Sequence, residues 1–305
     1  MKIERHIAQG FGKGELYDVL VQLQNMALLT AGNIYYVSKA GNSTTGKSWE
    51  TAFSTIAAAI TASNATIDWA GNEEDNYIII APGTYAESLT TIPSYCHMIG
   101  LGVGTLANSG MSVRVDPASG VAMSGTALGL HLYNIAFTAK GAVDILDFGI
   151  CNDVLIERCM FAPSDGSTVN GISTTNSDGL NIRNCKFKSG LGGGAGMTCG
   201  MYFGGGSEKY LHNALIENNI IMGLDATGTG IYIQDTCTGT ESVIKDNIIY
   251  LSGAGIGIDD DSDDVIVKGN TVFHVSGDAY DINAKLASQN IDNNNGTVVD
   301  EPNMA

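Results

Sequence analysis

The chain has 305 residues, with 15 Lys and Arg against 32 Asp and Glu, 39 Gly, 5 Pro and 6 Cys. A hydrophobic fraction of 44% supplies a continuous core and excludes wholesale disorder. The formal net charge of −17 excludes the cationic footprint a nucleic-acid partner requires, and it disfavours a polyanionic substrate unless bound cations intervene.

The opening stretch MKIERHIAQGFGKG lacks the apolar region of a secretory signal. No run of about 18 apolar residues occurs anywhere, so no membrane partner is expected. From Glu15 to Thr30, apolar or small side chains recur three and four apart at Leu16, Val19, Leu23, Met26 and Thr30, widened by Leu20, Ala27 and Leu28. This stripe predicts an amphipathic helix. It reads as a cap over an open solenoid end, as a stalk at a trimer axis, or as a segment docking on a larger assembly.

Next comes GNSTTGKS (41–48), which satisfies the pattern G-x-x-x-x-G-K-[ST] between a strand-like IYYV and a helix-like WETAFSTIAAAI. A phosphate cradle also needs a second strand ending in a magnesium-binding Asp within a parallel α/β sheet. Nothing downstream provides it, and the match is read as coincidence.

From residue 130 onward the sequence repeats. VLIERCMF (154–161), LNIRNCKF (180–187), ALIENNII (214–221), SVIKDNII (242–249), VIVKGNTV (265–272) and a degenerate QNIDNNNG (289–296) align, with LHLYNIAF (130–137) fitting loosely. Their sixth-position Cys or Asn falls at Cys159, Cys185, Asn219, Asn247 and Asn270 in the first five, with spacings of 26, 34, 28 and 23 residues. Between them lie GAVDIL (141–146), GIST (171–174), GMYF (200–203), GIYI (230–233), GIGI (255–258) and DAYDI (278–282). Each segment is short, β-branched and alternating, and no helix pattern separates them. A period of about 25 to 30 residues without helices predicts a parallel β-helix, whose coils bury their apolar faces only by stacking. In register, Cys159, Cys185, Asn219, Asn247 and Asn270 stack as a ladder inside one turn. The glycines opening the second segment type are expected to turn corners at positive φ.

These repeats, together with YYVSKAGNSTTGKSWETAFSTIAAAI (35–60) and YIIIAPGTYAE (77–87), resemble the pectate-lyase-like right-handed parallel β-helix superfamily. Within it the chain is most similar to phage tailspike and decoration proteins. The resemblance covers roughly residues 34 to 296 and implies an all-β, right-handed, single-stranded solenoid with short N-terminal helices. It implies three regions: an anchor or cap over 1–32, a β-helix over 33–298 (33–100 opening and cap, 101–298 coils), and a tail over 299–305. It is specific for fold and weak for function.

The densest chemical feature is GIDDDSDD (257–264), with Asp259, Asp260, Asp261, Asp263 and Asp264. Paired carboxylates serve glycoside hydrolysis, and clustered oxygens also suit Ca2+, although the spacing is not that of an EF-hand. An acidic solvated turn is the plainer reading. Arg158, Arg183, Lys245 and Lys268 recur beside the ladder and read as outward coil positions rather than as a lyase base. His131, His212 and His274 read as isolated. Tyr202, Phe203, Tyr210 and Tyr232 suit either a sugar-stacking groove or inward packing. The six cysteines show no CxxC and are expected reduced, with no zinc and no cofactor.

The favoured expectation is a structural or attachment protein of a virus particle, a tailed-phage decoration protein or tail spike, homotrimeric, held to other virion proteins by residues 1–32, and non-catalytic or glycan-binding. The alternative is an extracellular carbohydrate-active enzyme, hydrolase or lyase, using acids of 259–264.

Overall fold

The computed structural model describes residues 32–67, 75–102, 111–165, 169–188, 196–204, 209–234, 237–262, 265–274, 276, 278–282, 286–293 and 297–299. Leu16, Val19, Leu20, Leu23, Met26, Asp263 and Asp264 lie outside them. No helix among the described residues is long and apolar enough to cross a membrane.

Three sheets run the length of the molecule, and each coil contributes to them in turn. Sheet I runs from Ile34–Val37 through strands such as Leu130–Tyr133, Leu155–Glu157, Asn181–Arg183 and Leu215–Glu217 to Leu286–Ser288. Sheet II runs from Gly83–Tyr85 through Met160–Phe161 and Lys186–Phe187 to Thr297–Val299. Sheet III contains Met123–Leu128, Leu146–Asn152, Asn170–Asp178, Met197–Phe203, Leu224–Ile233, Ile256–Asp260 and Asp278–Ile282. Neighbouring strands are parallel and one coil apart: Ile156 pairs with Leu132 on one side and Ile182 on the other. The exception is Thr297–Val299, which folds back antiparallel on Asn290–Asp292 and occupies that edge of sheet II.

Because side chains alternate along each strand, every coil points the same positions inward, and these stack into continuous rows. Sheet I stacks Ile156, Ile182, Ile216, Ile244 and Val267, all buried. Sheet II stacks Phe137, Phe161 and Phe187 with ring centroids 5.9 and 4.8 Å apart. The period of the apolar pattern is thus the period of the coil.

Two of the three connections in a coil use one residue in the left-handed region. The turn from sheet I to sheet II uses Asn134, Arg158, Asn184, Asn218, Asp246, Gly269 and Gln289, with φ between 52° and 67°. The turn from sheet III to sheet I uses Tyr95, Gly129, Asp153, Gly179, Asn213 and Glu241, with φ between 46° and 72°. Asn and Asp tolerate this conformation because their short polar side chains bond locally, which explains their recurrence here.

The ladder lies directly after the first of these turns. Asn219 Nδ2 donates to Ile182 O at 2.9 Å and to Asn247 Oδ1 at 3.0 Å. Asn247 Nδ2 donates to Ile216 O and Asn270 Oδ1, both at 3.0 Å, and Asn270 Nδ2 donates to Asn290 Oδ1 at 3.1 Å. Each amide oxygen also accepts the backbone N–H one coil back, as from Asn219 N and Asn247 N at 3.0 Å. Cys159 and Cys185 continue the column, their thiols reaching Leu132 O and Ile156 O at 3.5 Å. Asn290, from the degenerate last repeat, completes it.

Of the glycines opening the second repeat type, Gly141 does take a positive φ, of 94°, whereas the later ones do not turn corners. Gly171, Gly200, Gly230 and Gly257 have no positive φ; instead, a Cβ on them would strike the facing sheet. The added atom would lie 2.7 Å from Phe187 Cδ1 at Gly171, 2.9 Å from Ile221 Cγ2 at Gly200 and 2.8 Å from Ile249 Cγ2 at Gly230. They let sheets II and III approach. Gly230→Ala is therefore expected to destabilise by about 1–3 kcal/mol through overpacking, measured by urea unfolding.

The helix Ile56–Asn64 (α1) covers the N-terminal coil with Ile56, Ala59 and Ile60 buried. Thr55 caps it, and the Glu87 carboxylate accepts from Ile56 N at 2.9 Å and Ala57 N at 2.8 Å. The GNSTTGKS loop thus leads to a helix whose first amides already hold an anion. Its Lys47 donates to Asn33 Oδ1 at 2.7 Å and lies 4.0 Å from the Tyr35 ring centroid. These contacts make the loop part of the cap.

Candidate functional site

The outer face of sheet III gathers side chains that the core does not use. Register across its coils places Ser124, Asp147, Ser173, Tyr202, Tyr232, Asp259 and Asp281 in one row along the solenoid axis. The neighbouring inward positions, Ile172, Met201, Ile231 and Ile258, are buried, so strand alternation turns this row outward.

Tyr202 and Tyr232 form its centre, with ring centroids 5.5 Å apart and planes tilted by 51°. Tyr202 OH donates to Gln234 Oε1 at 3.0 Å, and Tyr232 OH donates to Asp261 Oδ2 at 3.4 Å. These bonds orient both rings along the face. Phe203, expected as an alternative stacking residue, is buried inside. Tyr210 instead stacks on His212 at 4.8 Å.

Carboxylates flank the tyrosines on both sides. At one side, partial burial and then the negative charges of Asp261, Asp281 and Asp260 push the Asp259 carboxyl up to about 6. At the other, burial and the charge of Asp147 raise Asp144, which accepts from Asn170 N at 3.1 Å. Burial followed by the Asp261 and Asp259 charges pushes the Tyr232 phenol up to about 12, so it stays a donor. Cys199 is buried nearby and its thiol is held strongly protonated by burial.

The raised Asp259 has a sign that can be worked out. Between about pH 4 and 6 the folded chain holds a proton that the unfolded chain has released, so stability falls as pH rises through that window and stays lowered above it. Asp259→Asn is expected to stabilise the protein at neutral pH by about 1 kcal/mol, after allowance for solvent screening, and to flatten this part of the pH–stability curve.

Of the five aspartates expected to act together, Asp259, Asp260 and Asp261 are described, and strand alternation separates them. Asp259 and Asp261 face outward with the tyrosines. Asp260 points into the core, fully buried, where its Oδ1 accepts from Ser262 N at 3.0 Å and Ser262 Oγ at 2.6 Å. Asp260 is thus removed from the candidate set by strand alternation. Asp144, Asp147 and Asp281 join it, although they lie on other coils. The signal for Asp281 was in the repeat, but the segment alignment was two residues out: Tyr232 pairs with Asp259, not with Gly257. Gly255 precedes the strand and is not the equivalent of Gly230.

Two basic residues of the repeats pair with acids on sheet I. Arg183 binds Glu157 at 3.0 Å and Lys245 binds Glu217 at 2.9 Å, both across adjacent coils of sheet I. The histidines read as isolated have partners: His131 meets His97, and His274 Nε2 lies 2.8 Å from Asp292 Oδ1. All six cysteines are buried, and none is joined in a disulfide. Among the described residues no group of three or more His, Cys, Asp or Glu side chains is arranged to hold a metal ion.

Residues 170–300 match the family described as right handed beta helix region. With the three stacked sheets, this defines the chain as a right-handed parallel β-helix. No curated protein matches. Among solved structures, the chain is similar to a pectin methylesterase from carrot at 14% identity and a TM-score of 0.42, over 83% of this chain and 85% of that one. It is similar to the Escherichia coli protein YbhC at 12% identity and 0.43, over 87% and 68%. It is also similar to a pectin methylesterase from Aspergillus niger at 13% identity and 0.37, over 88% and 92%. No residue role is carried over from these proteins.

Proposed function

We propose that this protein engages a glycan along the outer face of sheet III, with Tyr202 and Tyr232 as the stacking platform. The observation that carries the reading is the in-register row, in which two outward aromatic rings on consecutive coils are flanked by hydrogen-bonding carboxylates. Aromatic faces complement the C–H faces of sugar rings, and carboxylates accept from sugar hydroxyls. The coil spacing of about 4.8 Å approaches the length of a pyranose ring, so a chain lying along the axis meets successive coils. The test is binding to a panel of immobilised oligosaccharides by the wild type and by Tyr202→Ala/Tyr232→Ala. Binding that disappears in the double variant supports the reading. No binding to any glycan, or equal binding by both proteins, refutes it.

A second reading, cleavage of the bound glycan, rests on Asp259. A carboxyl pushed up to about 6 beside the carboxylates of Asp261 and Asp281 has the pairing of an acid with a base. Under that reading Asp259→Asn keeps binding and loses release of reducing ends. As the setting for either, we retain a homotrimeric spike or decoration protein of a virus particle attached through residues 1–32. Its support is the sequence pattern of that segment, and its check is the copy number of the chain in purified particles.

A further inference from the structure

Sheet I carries an unrelated constellation near the N-terminal end. Adjacent strands place Tyr77, His97 and His131 in one row. Tyr77 stacks on His97 with centroids 4.6 Å apart and planes 10° apart, while His131 meets His97 edge-on at 5.3 Å. The two Nδ1 atoms lie 3.0 Å from each other, and His97 Nε2 lies 3.8 Å from Asp75 Oδ2. His131 Nε2 is buried and has no hydrogen-bond partner among the described residues.

A contact between two ring nitrogens holds a single proton, so one imidazole donates and the other accepts. If His97 donated, neutral His131 would carry its own proton on the buried Nε2, where nothing accepts it. The opposite arrangement satisfies more groups: His131 Nδ1–H donates to His97 Nδ1, and His97 Nε2–H points toward Asp75. Only an acceptor lone pair on His131 is then left unbonded, which costs less than an orphaned donor.

A further proton has no good place. On His97 it would go to Nδ1, directly against the His131 N–H. On His131 it would go to the buried Nε2. The surrounding groups do not offset this. Among the described residues Asp75 is the carboxylate that pairs with His97, and it is more than half exposed. Tyr77 and Tyr133 contribute ring faces and edges, with Tyr133 6.0 Å from His131 and itself beneath Arg158. On the following coils, Glu157 is engaged by Arg183.

We propose that the neutral His97–His131 contact is an acid-sensitive fastener that joins strands Cys96–Gly100 and Leu130–Tyr133 and lets go on acidification. Burial, then the charges of His97 and Arg183, hold His131 down at about 4, and burial lowers His97 against the opposing pull of Asp75. Unfolded imidazoles titrate near 6.5, so the unfolded chain takes up protons below that value that the folded chain refuses. Stability is full above about pH 6.5 and falls as the pH drops toward 4. Asp259 works in the opposite sense, so the two contributions are separable.

The experiment follows the imidazole resonances of histidine-labelled full-length protein by NMR while pH is lowered. Urea midpoints of the wild type and of His97→Gln/His131→Gln are measured alongside, at about pH 7.5 and about pH 4.5. The expected result is one imidazole titrating well below 5, with a wild-type midpoint that drops on acidification and a double variant that loses more than half of that drop. All five imidazoles titrating near their ordinary value, or a double variant with the wild-type drop, overturn the proposal. Should the variant fail to fold, the wild-type titration decides alone.

Discussion

Asn247→Leu is expected to lower the unfolding free energy by about 3–5 kcal/mol. Leu keeps the branching of Asn at Cγ but makes none of its bonds. Ile216 O loses the donor at 3.0 Å, and Asn219 N loses the Asn247 Oδ1 acceptor at 3.0 Å. Both orphans are buried inside a turn closed by neighbouring coils, so water does not replace the partner. Each such group costs about 1–3 kcal/mol. Asn247→Cys is the informative companion, because coils at Cys159 and Cys185 already carry a thiol that donates to the carbonyl one coil back. It restores a donor but no amide oxygen, and about half the loss is expected. Urea unfolding at neutral pH measures both. Equal stability of wild type and Asn247→Leu would show that the ladder contributes nothing net.

The second large effect falls on binding. Tyr202→Ala/Tyr232→Ala is expected to weaken glycan affinity by about 10- to 100-fold, since each ring supplies contact area and stacking of about 0.5–1.5 kcal/mol or more. The rings face outward, and their inward neighbours Met201 and Ile231 hold the strands. The unfolding free energy is therefore expected to change by no more than about 1 kcal/mol. Titration calorimetry with the best glycan of a panel separates the two effects. A loss of affinity accompanied by a comparable loss of stability would mark the tyrosines as structural.

The architecture was legible because the solenoid repeats its physics. Every coil needs one buried β-branched strand pair and one residue to satisfy the turn, so Ile156, Ile182, Ile216 and Ile244, and then Asn219, Asn247 and Asn270, recur at the coil period. What depends on contacts between sheets left no such trace. Gly230 reads as a turn former in sequence, yet its role is clearance beneath Ile249. The outer row was blurred because turn lengths vary: sliding GIGI onto GIYI preserves alternation, so the pattern alone does not reveal a two-residue slip. Asp260 shows the limit of composition. It sits in an acidic run but alternates into the core, while Asp144 and Asp281, distant in the chain, flank the tyrosines. The His97–His131 pair was hidden for the same reason, since its members sit on different coils and no local spacing connects them.

Hydrogen exchange with and without a bound oligosaccharide tests whether sheet III presents the working surface. Added protection is expected in strands Met197–Phe203, Leu224–Ile233 and Ile256–Asp260, with sheets I and II unchanged. Protection confined to sheet I or sheet II would contradict it.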